Sequence, residues 1–135
     1  MSEAAEIIQS PCNSADLSAQ AIIELNDCYH PLNFEARLHR IYTDFRPEKI
    51  MVTSSFAATS AYFLHIISHI RPEQIIFFIN TGVHFPETLM YRDYLIKLYH
   101  LKVEDLKADD YQHQYSKKEK LYVTDPDFCC TINKV

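Results

Sequence analysis

Apolar residues along this chain follow two patterns, short unbroken runs and longer stretches with a helical period. The segments Ile50–Thr53 and Gln74–Ile79 are dominated by apolar residues, which is typical of strands buried on both faces of a parallel sheet. Between them, apolar side chains recur on one face of a predicted helix: Phe63, Ile66, Ile67 and Ile70. Strand, helix and strand within about thirty residues predict a right-handed βαβ unit with parallel strands.

The same patterning predicts further elements after the second strand. Pro86 is suited to the first turn of a helix that continues to about His100. The apolar stripe of this helix consists of Tyr91, Leu95, Leu98 and Tyr99. Lys102–Lys107 is predicted to be a third, more exposed strand. The polar segment Asp109–Lys120 is compatible with a surface helix and with a mobile loop, and the sequence does not decide between them.

Two helices are predicted before the first strand, after a loose arm over residues 1–14. Ser14 or Asp16 is a suitable N-cap for the first helix, in which Cys28 falls on the apolar face. We interpret Cys28 as a small core residue. Asn33 is a suitable N-cap for the second helix, whose apolar stripe consists of Phe34, Leu38, Ile41, Tyr42 and Phe45.

Composition and charge narrow the class of protein. A chain of 135 residues with 47% hydrophobic and 23% charged residues can form a globular domain with a core. The net charge of −5 argues against nucleic-acid binding. No apolar run reaches the roughly 20 residues of a membrane span, and the first residues lack the cationic start of a signal peptide. We therefore expect a cytoplasmic protein without a membrane partner.

Small and hydroxyl residues follow both predicted strands. The loops Ser54–Ala57 and Asn80–Glu87 are expected at the carboxyl ends of parallel strands, where α/β sheets bind ligands. The amides and dipole of the helix that follows Ser54 and Ser55 suit a phosphate or sulfate, although serines at such junctions also serve as plain helix caps. The loop after the second strand contains Gly82, the only glycine in the chain. It marks either a close approach to a ligand or a simple turn.

Histidine and cysteine spacing suggests two possible metal sites. His65 and His69 stand four residues apart, but no third ligand accompanies them, so we interpret them as partly exposed histidines or histidines at the edge of the core. The adjacent Cys129 and Cys130 are compatible with passive thiols, with a vicinal disulfide and with thiolate ligands of an iron–sulfur cluster.

Three motifs together resemble the sulfonucleotide reductases, the adenylyl-sulfate and phosphoadenylyl-sulfate reductases. They are Ser54-Ser55-Phe56, then Asn80-Thr81-Gly82 with Phe85-Pro86-Glu87-Thr88, then Cys129-Cys130 with Lys134-Val135. The resemblance runs from about Leu25 to Val135. It implies an adenine nucleotide α-hydrolase-like, Rossmann-like α/β fold, in which a parallel sheet with flanking helices is preceded by two N-terminal helices. On this basis residues 1–46 are an arm and helices packing on the core, and residues 47–135 are a nucleotide-binding core that is incomplete at its C-terminus.

The resemblance also implies roles for individual residues. The phosphate-binding loop corresponds to Ser54, Ser55, Phe56 and Ala57. Ile79 matches a residue whose backbone faces the adenine, and the substrate-binding segment after it corresponds to Thr81 and Gly82. Cys129 and Cys130 match a pair that binds a four-iron four-sulfur cluster in the adenylyl-sulfate branch, and Lys134 matches a basic residue between cluster and substrate.

The activity implied is the assimilatory reduction of adenylyl sulfate, or its 3′-phosphorylated form, to sulfite and AMP or adenosine 3′,5′-bisphosphate. The reductant would be thioredoxin or glutaredoxin, and a homo-oligomer is compatible with the resemblance. The family's nucleophilic cysteine and second cysteine pair match no residue of this chain. We therefore expect the N-terminal part of a reductase, inactive and cluster-free by itself, with Cys129 and Cys130 disordered or as free thiols.

Several positions depart from the family pattern. Ala57 replaces a glycine that is usual in the family, and Thr59 replaces an acidic residue or glutamine. Asn80 replaces an aspartate, and Asn133 replaces an arginine. Two alternatives therefore stay open, a catalytically inactive adenine-nucleotide-binding module and an ATP-pyrophosphatase-type adenylating relative of the same fold. The second lacks support because the loop after the first strand has neither glycines nor aspartate. The cysteine pair favours adenylyl sulfate as the substrate.

Overall fold

A computed structural model describes residues 18–134 of the protein. The chain divides into two compact units, one ending at Ile50 and the other beginning at Met51. The arm predicted over residues 1–14 and the predicted caps Ser14 and Asp16 lie outside the described residues. None of the described helices has the length and apolarity needed to cross a bilayer.

The first unit contains the two expected helices, α1 (Ala19–Tyr29) and α2 (Phe34–Asp44). The N-cap of α1 is Ser18, whose Oγ accepts a hydrogen bond from the backbone of Ala21, so the prediction of Ser14 or Asp16 as the cap was wrong. Asn33 caps α2 as predicted. Cys28 is exposed, which contradicts its interpretation as a core residue. No residue of α1 is fully buried, so its apolar spacing produces no core face.

The second unit is built on a three-stranded parallel sheet in the order β1 (Val52–Thr53), β2 (Ile75–Ile79), β3 (Lys102–Leu106). Helix α3 (Ala61–Ile70) connects β1 to β2, and α4 (Pro86–Tyr99) connects β2 to β3. Both connections move the same way across the sheet, so right-handed crossovers put α3 and α4 on the same face. In agreement with this, α3 and α4 contact each other. The predicted βαβ unit and third strand are confirmed.

Burial is concentrated around the central strand. Ile76 and Phe78 of β2 and Leu64 of α3 are completely buried, and Leu95 of α4 is nearly so. The first strand differs from the prediction, because Thr53 is exposed although Val52 is buried. Within the described sheet β1 pairs only with β2, so it is an edge strand.

After β3 the chain forms three short helices, α5 (Asp110–Lys118), α6 (Leu121–Thr124) and α7 (Pro126–Lys134), which pack on one another. Asp109 caps α5 through bonds from the backbone of Tyr111 and Gln112, which settles this segment as a helix. Cys129 and Cys130 are free thiols within α7, so the alternative that they are disordered was wrong. The side chain of Asp125 accepts from the backbone of Phe128 and starts that helix.

Candidate functional site

The loop after β1 presents backbone donors that are not used within the described chain. Ser54 continues the ladder by donating its N–H to Phe77 O at 3.1 Å, and its Oγ accepts from Phe56 N at 3.1 Å. Among residues 18–134, nothing accepts a hydrogen bond from the backbone N–H of Ser55, Ala57 or Ala58. A 3₁₀ turn over Ala58–Ser60 then leads into α3. Unpaired amides at the start of a helix are a favourable environment for an anion.

Phe56 fixes the shape of this loop. Its backbone adopts a left-handed conformation with φ of 54°, which is costly for a residue with a side chain. The ring is 1% exposed and meets Phe78 edge-on, with the ring centroids 5.7 Å apart. Burial of the ring thus offsets the backbone cost and turns the loop, and only the backbone of Phe56 can face a ligand.

The loop after β2 lies at the same edge of the sheet, because β1 and β2 are neighbouring parallel strands. Asn80 shapes it by accepting from Gly82 N at 3.0 Å through Oδ1. Gly82 has a φ of 73°, a conformation that favours glycine. Nε2 of His84 lies 3.0 Å from Ile79 O and 3.3 Å from Thr81 N. It donates to Ile79 O when it carries the hydrogen and accepts from Thr81 N when it does not.

An ion pair between α4 and β3 stabilises the loop after β2. The Nδ2 group of Asn80 donates to Asp105 at 2.8 Å, and Arg92 of α4 donates to both carboxylate oxygens of Asp105 at 3.0 and 3.2 Å. The Arg92 guanidinium also lies over the Phe78 ring, 4.8 Å from its centroid. Burial favours a higher pKa for Asp105, but the Asn80 hydrogen bond and the positive Arg92 outweigh it and hold that pKa below its usual range.

A cavity of about 310 Å³ lies between the loop after β2 and the C-terminal helices. It is lined by Thr81, Val83, His113, Ser116, Lys117, Tyr122, Cys129 and Asn133. Gly82 and His113 approach each other closely beside it, since a Cβ on Gly82 would lie 3.0 Å from His113 Nε2. The single glycine therefore stands where both the backbone conformation and a neighbouring side chain disfavour any other residue.

The two cysteines differ in their surroundings. Cys129 is half-buried and lines the cavity, whereas Cys130 is exposed. Lys134 is exposed at the end of α7 and is not among the residues that line the cavity. In the part of the chain that the structure describes, no group of three or more His, Cys, Asp or Glu side chains could hold a metal ion.

The histidine pair lies outside this site. His65 is half-buried in α3, with its ring centroid 4.4 Å from that of His69 and 5.1 Å from that of Tyr99. His69 Nδ1 lies 2.8 Å from His65 O. Nδ1 of His65 is buried and has no hydrogen-bond partner among the described residues. The placement agrees with the interpretation of these residues as histidines at the edge of the core.

Several residues of the site were not identified from the sequence. Arg92 and Asp105 lie on different elements, and only the folded sheet brings them together. His113, Ser116 and Lys117 share one face of α5, and their spacing of three and four residues would have shown this once the segment was known to be helical.

The sheet is parallel, and its carboxyl edge has unpaired amides after β1 and a glycine with positive φ after β2. These features are typical of the α/β proteins that bind nucleotides at that edge. The family model of the phosphoadenosine phosphosulfate reductase domain matches residues 49–135. The chain therefore belongs to the phosphoadenosine phosphosulfate reductase family. This confirms the resemblance stated from the three motifs.

Individual relatives carry the names of both branches. The chain is 35% identical over 122 residues to an adenosine 5′-phosphosulfate reductase of Chelativorans sp. (strain BNC1), covering 84% of this chain and 47% of the relative. It is 30% identical over 94 residues to a phosphoadenosine 5′-phosphosulfate reductase of Alteromonas mediterranea, covering 70% of this chain and 38% of the relative. The chain thus spans about half the length, or less, of the curated relatives it matches.

A solved structure supports the same fold. The crystal structure of phosphoadenylyl-sulfate (PAPS) reductase from Candida auris, a phosphate complex, superposes with a TM-score of 0.71 at 25% identity. The match covers 90% of this chain and 60% of that protein. The expected parallel α/β fold with N-terminal helices is thereby confirmed.

Proposed function

We propose that this chain is the N-terminal, nucleotide-binding part of an assimilatory sulfonucleotide reductase. The observation that carries the proposal is the set of unpaired amides at Ser55, Ala57 and Ala58, at the carboxyl end of β1. The carboxyl edge of a parallel sheet and the start of a helix are where this architecture holds a nucleotide phosphate. Relatives named for adenosine 5′-phosphosulfate and phosphoadenosine 5′-phosphosulfate, and a phosphate complex of a similar fold, support the same ligand class.

In the reaction we propose, a cysteine thiolate attacks the sulfur of the sulfonucleotide, and the bond from that sulfur to the bridging phosphate oxygen breaks. AMP leaves with the bonding electrons, and the sulfo group remains on the enzyme cysteine. A thiolate of thioredoxin or glutaredoxin then attacks the cysteine sulfur, which releases sulfite and forms a mixed disulfide. A second thiol of the reductant resolves this disulfide, so that the enzyme cysteine is freed and the reductant leaves oxidised. The part of this chain is to bind the phosphate with the amides of the first loop and to stabilise its charge as AMP departs.

The second loop would complete the nucleotide site. Ile79, Thr81 and Gly82 are held in place by His84 and by Asn80, which is itself anchored on Asp105. These contacts fix the backbone of the loop without using the Thr81 hydroxyl. A preformed loop of this kind lowers the entropic cost of binding a nucleotide.

Cys129 and Cys130 would hold one half of a four-iron four-sulfur cluster, the other two thiolates coming from a second cysteine pair. When bound, such a cluster would supply iron centres with a reduction potential set by their thiolate ligands and surroundings. Lys134 is proposed as a basic residue beside this region. The cysteine pair is also our reason for proposing adenylyl sulfate as the preferred substrate and the reducing cytoplasm as the site of action.

The substitution Ala58→Pro tests the phosphate loop. Ala58 begins the 3₁₀ turn, its N–H is unpaired, and the preceding Ala57 is extended with φ −66° and ψ 159°. Proline fits such a position and removes only the N–H. The affinity for adenylyl sulfate and AMP, measured by isothermal titration calorimetry, should fall about 10- to 100-fold, as expected for a lost hydrogen bond to a charged group.

The matched control is Ala58→Ser, which keeps the N–H and should retain the affinity. Folding stability should be unchanged or slightly raised in Ala58→Pro, because proline restricts the unfolded chain. A proline variant that is folded and binds both nucleotides as tightly as the wild type would overturn the proposed site. Failure of the wild-type chain to bind either nucleotide would overturn the proposed function.

A further inference from the structure

The sulfur of Cys129 lies at the end of a chain of hydrogen bonds between α5 and α7. His113 Nδ1 is 2.6 Å from Asn133 Oδ1, Asn133 Nδ2 is 3.2 Å from Ser116 Oγ, and Ser116 Oγ is 3.4 Å from Cys129 Sγ. Ser116 and Asn133 are 3% and 9% exposed, so water competes little for these bonds. The three side chains that lead to Cys129 are called the α5–α7 relay below.

One fixed acceptor determines the direction of the bonds from His113 to Ser116 and allows the last bond, from Ser116 to Cys129 Sγ. Asn133 Nδ2 lies 2.9 Å from the backbone oxygen of Cys129, which can only accept, so the NH₂ group must face it. Asn133 Oδ1 therefore faces His113, and Nδ1 of His113 must carry the hydrogen. The second Nδ2 hydrogen reaches Ser116 Oγ, which leaves the serine hydroxyl hydrogen free to point at Cys129 Sγ.

The relay also reaches the nucleotide-binding side of the molecule. His113 Nε2, the other ring nitrogen, points towards Gly82, where a Cβ would lie only 3.0 Å away. A second contact supports the orientation of the cysteine, since Asn133 Nδ2 is 3.6 Å from Cys129 Sγ. The loop after β2 and the cysteine helix are therefore connected through defined side-chain contacts.

We propose that His113, Asn133 and Ser116 are positioning residues that hold Cys129 Sγ as a hydrogen-bond acceptor and thereby tune it as a cluster ligand. This inference rests on the proposed function for the presence of the cluster. Hydrogen bonds to a ligand sulfur withdraw electron density from it and stabilise the reduced cluster, which raises the reduction potential. Cys130 is exposed, and among residues 18–134 no side chain donates a hydrogen bond to its sulfur, so the two ligands are not equivalent.

The direction of the relay can be tested on this chain without any cluster. Long-range ¹⁵N–¹H NMR at about pH 8.5, some two units above the ordinary histidine pKa of about 6.5, reports which ring nitrogen carries the hydrogen. His113 should be the Nδ1–H tautomer in the wild type and should lose that preference in Asn133→Ala. Gln114→Ala, on the same helix, should leave the tautomer unchanged. An Nε2–H tautomer in the wild type would overturn the relay.

The consequence for the cluster is measured on the full-length reductase that the proposed function implies, reconstituted with iron and sulfide. Ser116→Ala removes the donor to Cys129 Sγ and should shift the reduction potential to a more negative value at unchanged iron content. Asn133→Ala should shift it in the same direction, and Gln114→Ala should not shift it.

Three outcomes separate this inference from the proposed function. An unchanged potential in a loaded, folded Ser116→Ala protein overturns the tuning role while leaving the reductase assignment intact. A full-length protein that assembles no cluster overturns the cluster assignment and with it the tuning role. The relay itself is judged in either case by the His113 tautomer.

Discussion

Asn80 shows how one side chain serves two neighbours because it carries both a donor and an acceptor. Its Oδ1 accepts from Gly82 N and its Nδ2 donates to Asp105, so the loop after β2 is attached to β3. An aspartate, the residue expected at this position from the resemblance, could make only the first of these bonds. The second would become a contact between two carboxylates, because Nδ2 lies 2.8 Å from Asp105 Oδ2.

Asn80→Asp should therefore destabilise the protein at neutral pH by about 1.5–3 kcal/mol, the range for a lost hydrogen bond to a charged group. In the wild type the lowered pKa of Asp105 contributes stability above its unfolded pKa of about 3.9, and this is lost as the pH falls through the folded pKa. In Asn80→Asp the carboxylates at positions 80 and 105 face each other, which raises the pKa of one of them above its unfolded value. The loss in free energy of unfolding is therefore largest at neutral pH and disappears on acidification. Urea denaturation from pH 4 to pH 8 measures the difference.

The double variant Asn80→Asp/Asp105→Asn is the matched control. It exchanges the two groups, so that a donor again faces an acceptor between β2 and β3, although Arg92 loses its charged partner. It should recover part of the stability at neutral pH. An Asn80→Asp protein as stable as the wild type at pH 7 would contradict this account of the loop.

At the scale of single residues, the sequence indicated two residues that line one cavity, but not the contacts that residues of the cavity make. Thr81 and Cys129, both named from the resemblance, do line one cavity, although they are far apart in the chain. The partners of Asn133 and Gly82 lie on α5, a segment for which the sequence left helix and loop open. Because such contacts depend on how helices pack, motif spacing along the chain does not report them.

Elements with strong local signals were predicted well. The continuous apolar run of β2, the proline at the start of α4 and the cap at Asn33 each determine their element through local chemistry. The shorter β1 and the exposed Thr53 depend instead on tertiary packing, which covers this edge strand less than the central β2. Helix α7 had a local signal in Asp125-Pro126, an N-cap followed by a proline in the first turn.

The end of α4 offers a test of backbone strain at the scale of one element. His100 terminates the helix in a left-handed conformation with φ of 53°, where a residue with a Cβ costs about 1–2 kcal/mol. His100 is exposed, so removing its side chain loses little packing. His100→Gly should raise the free energy of unfolding by about 1 kcal/mol, the greater freedom of glycine in the unfolded chain offsetting part of the gain.

His100→Ala is the matched control, because it removes the imidazole but keeps the Cβ and therefore the strain. It should leave the stability within about 0.5 kcal/mol of the wild type, as is usual for surface substitutions. Urea denaturation of the three proteins separates the two effects. Equal stability of the glycine and alanine variants would show that the backbone strain here is no larger than the entropic cost of glycine.

For the molecule as a whole, the division into two units decides how stability should be measured. The first unit ends at Ile50 and the second contains the sheet, both loops and the cavity. A single unfolding midpoint describes both units only where they unfold together, whereas hydrogen exchange follows each unit by itself. Hydrogen exchange at the amides of β2 reports the opening of the second unit by itself, because Ile76 and Phe78 are completely buried in its core.

Adenylyl sulfate should slow exchange at these amides by mass action. A ligand that binds only the folded state, present at 100 times its dissociation constant, adds about 2.7 kcal/mol to the free energy of opening. Ala58→Pro is expected to bind about 10- to 100-fold more weakly, so the same concentration is only about 1 to 10 times its dissociation constant. The free energy that the ligand adds to opening then falls to about 0.4–1.4 kcal/mol. Ala58→Ser should behave as the wild type. Equal slowing in all three proteins would mean that the ligand binds away from the loop after β1.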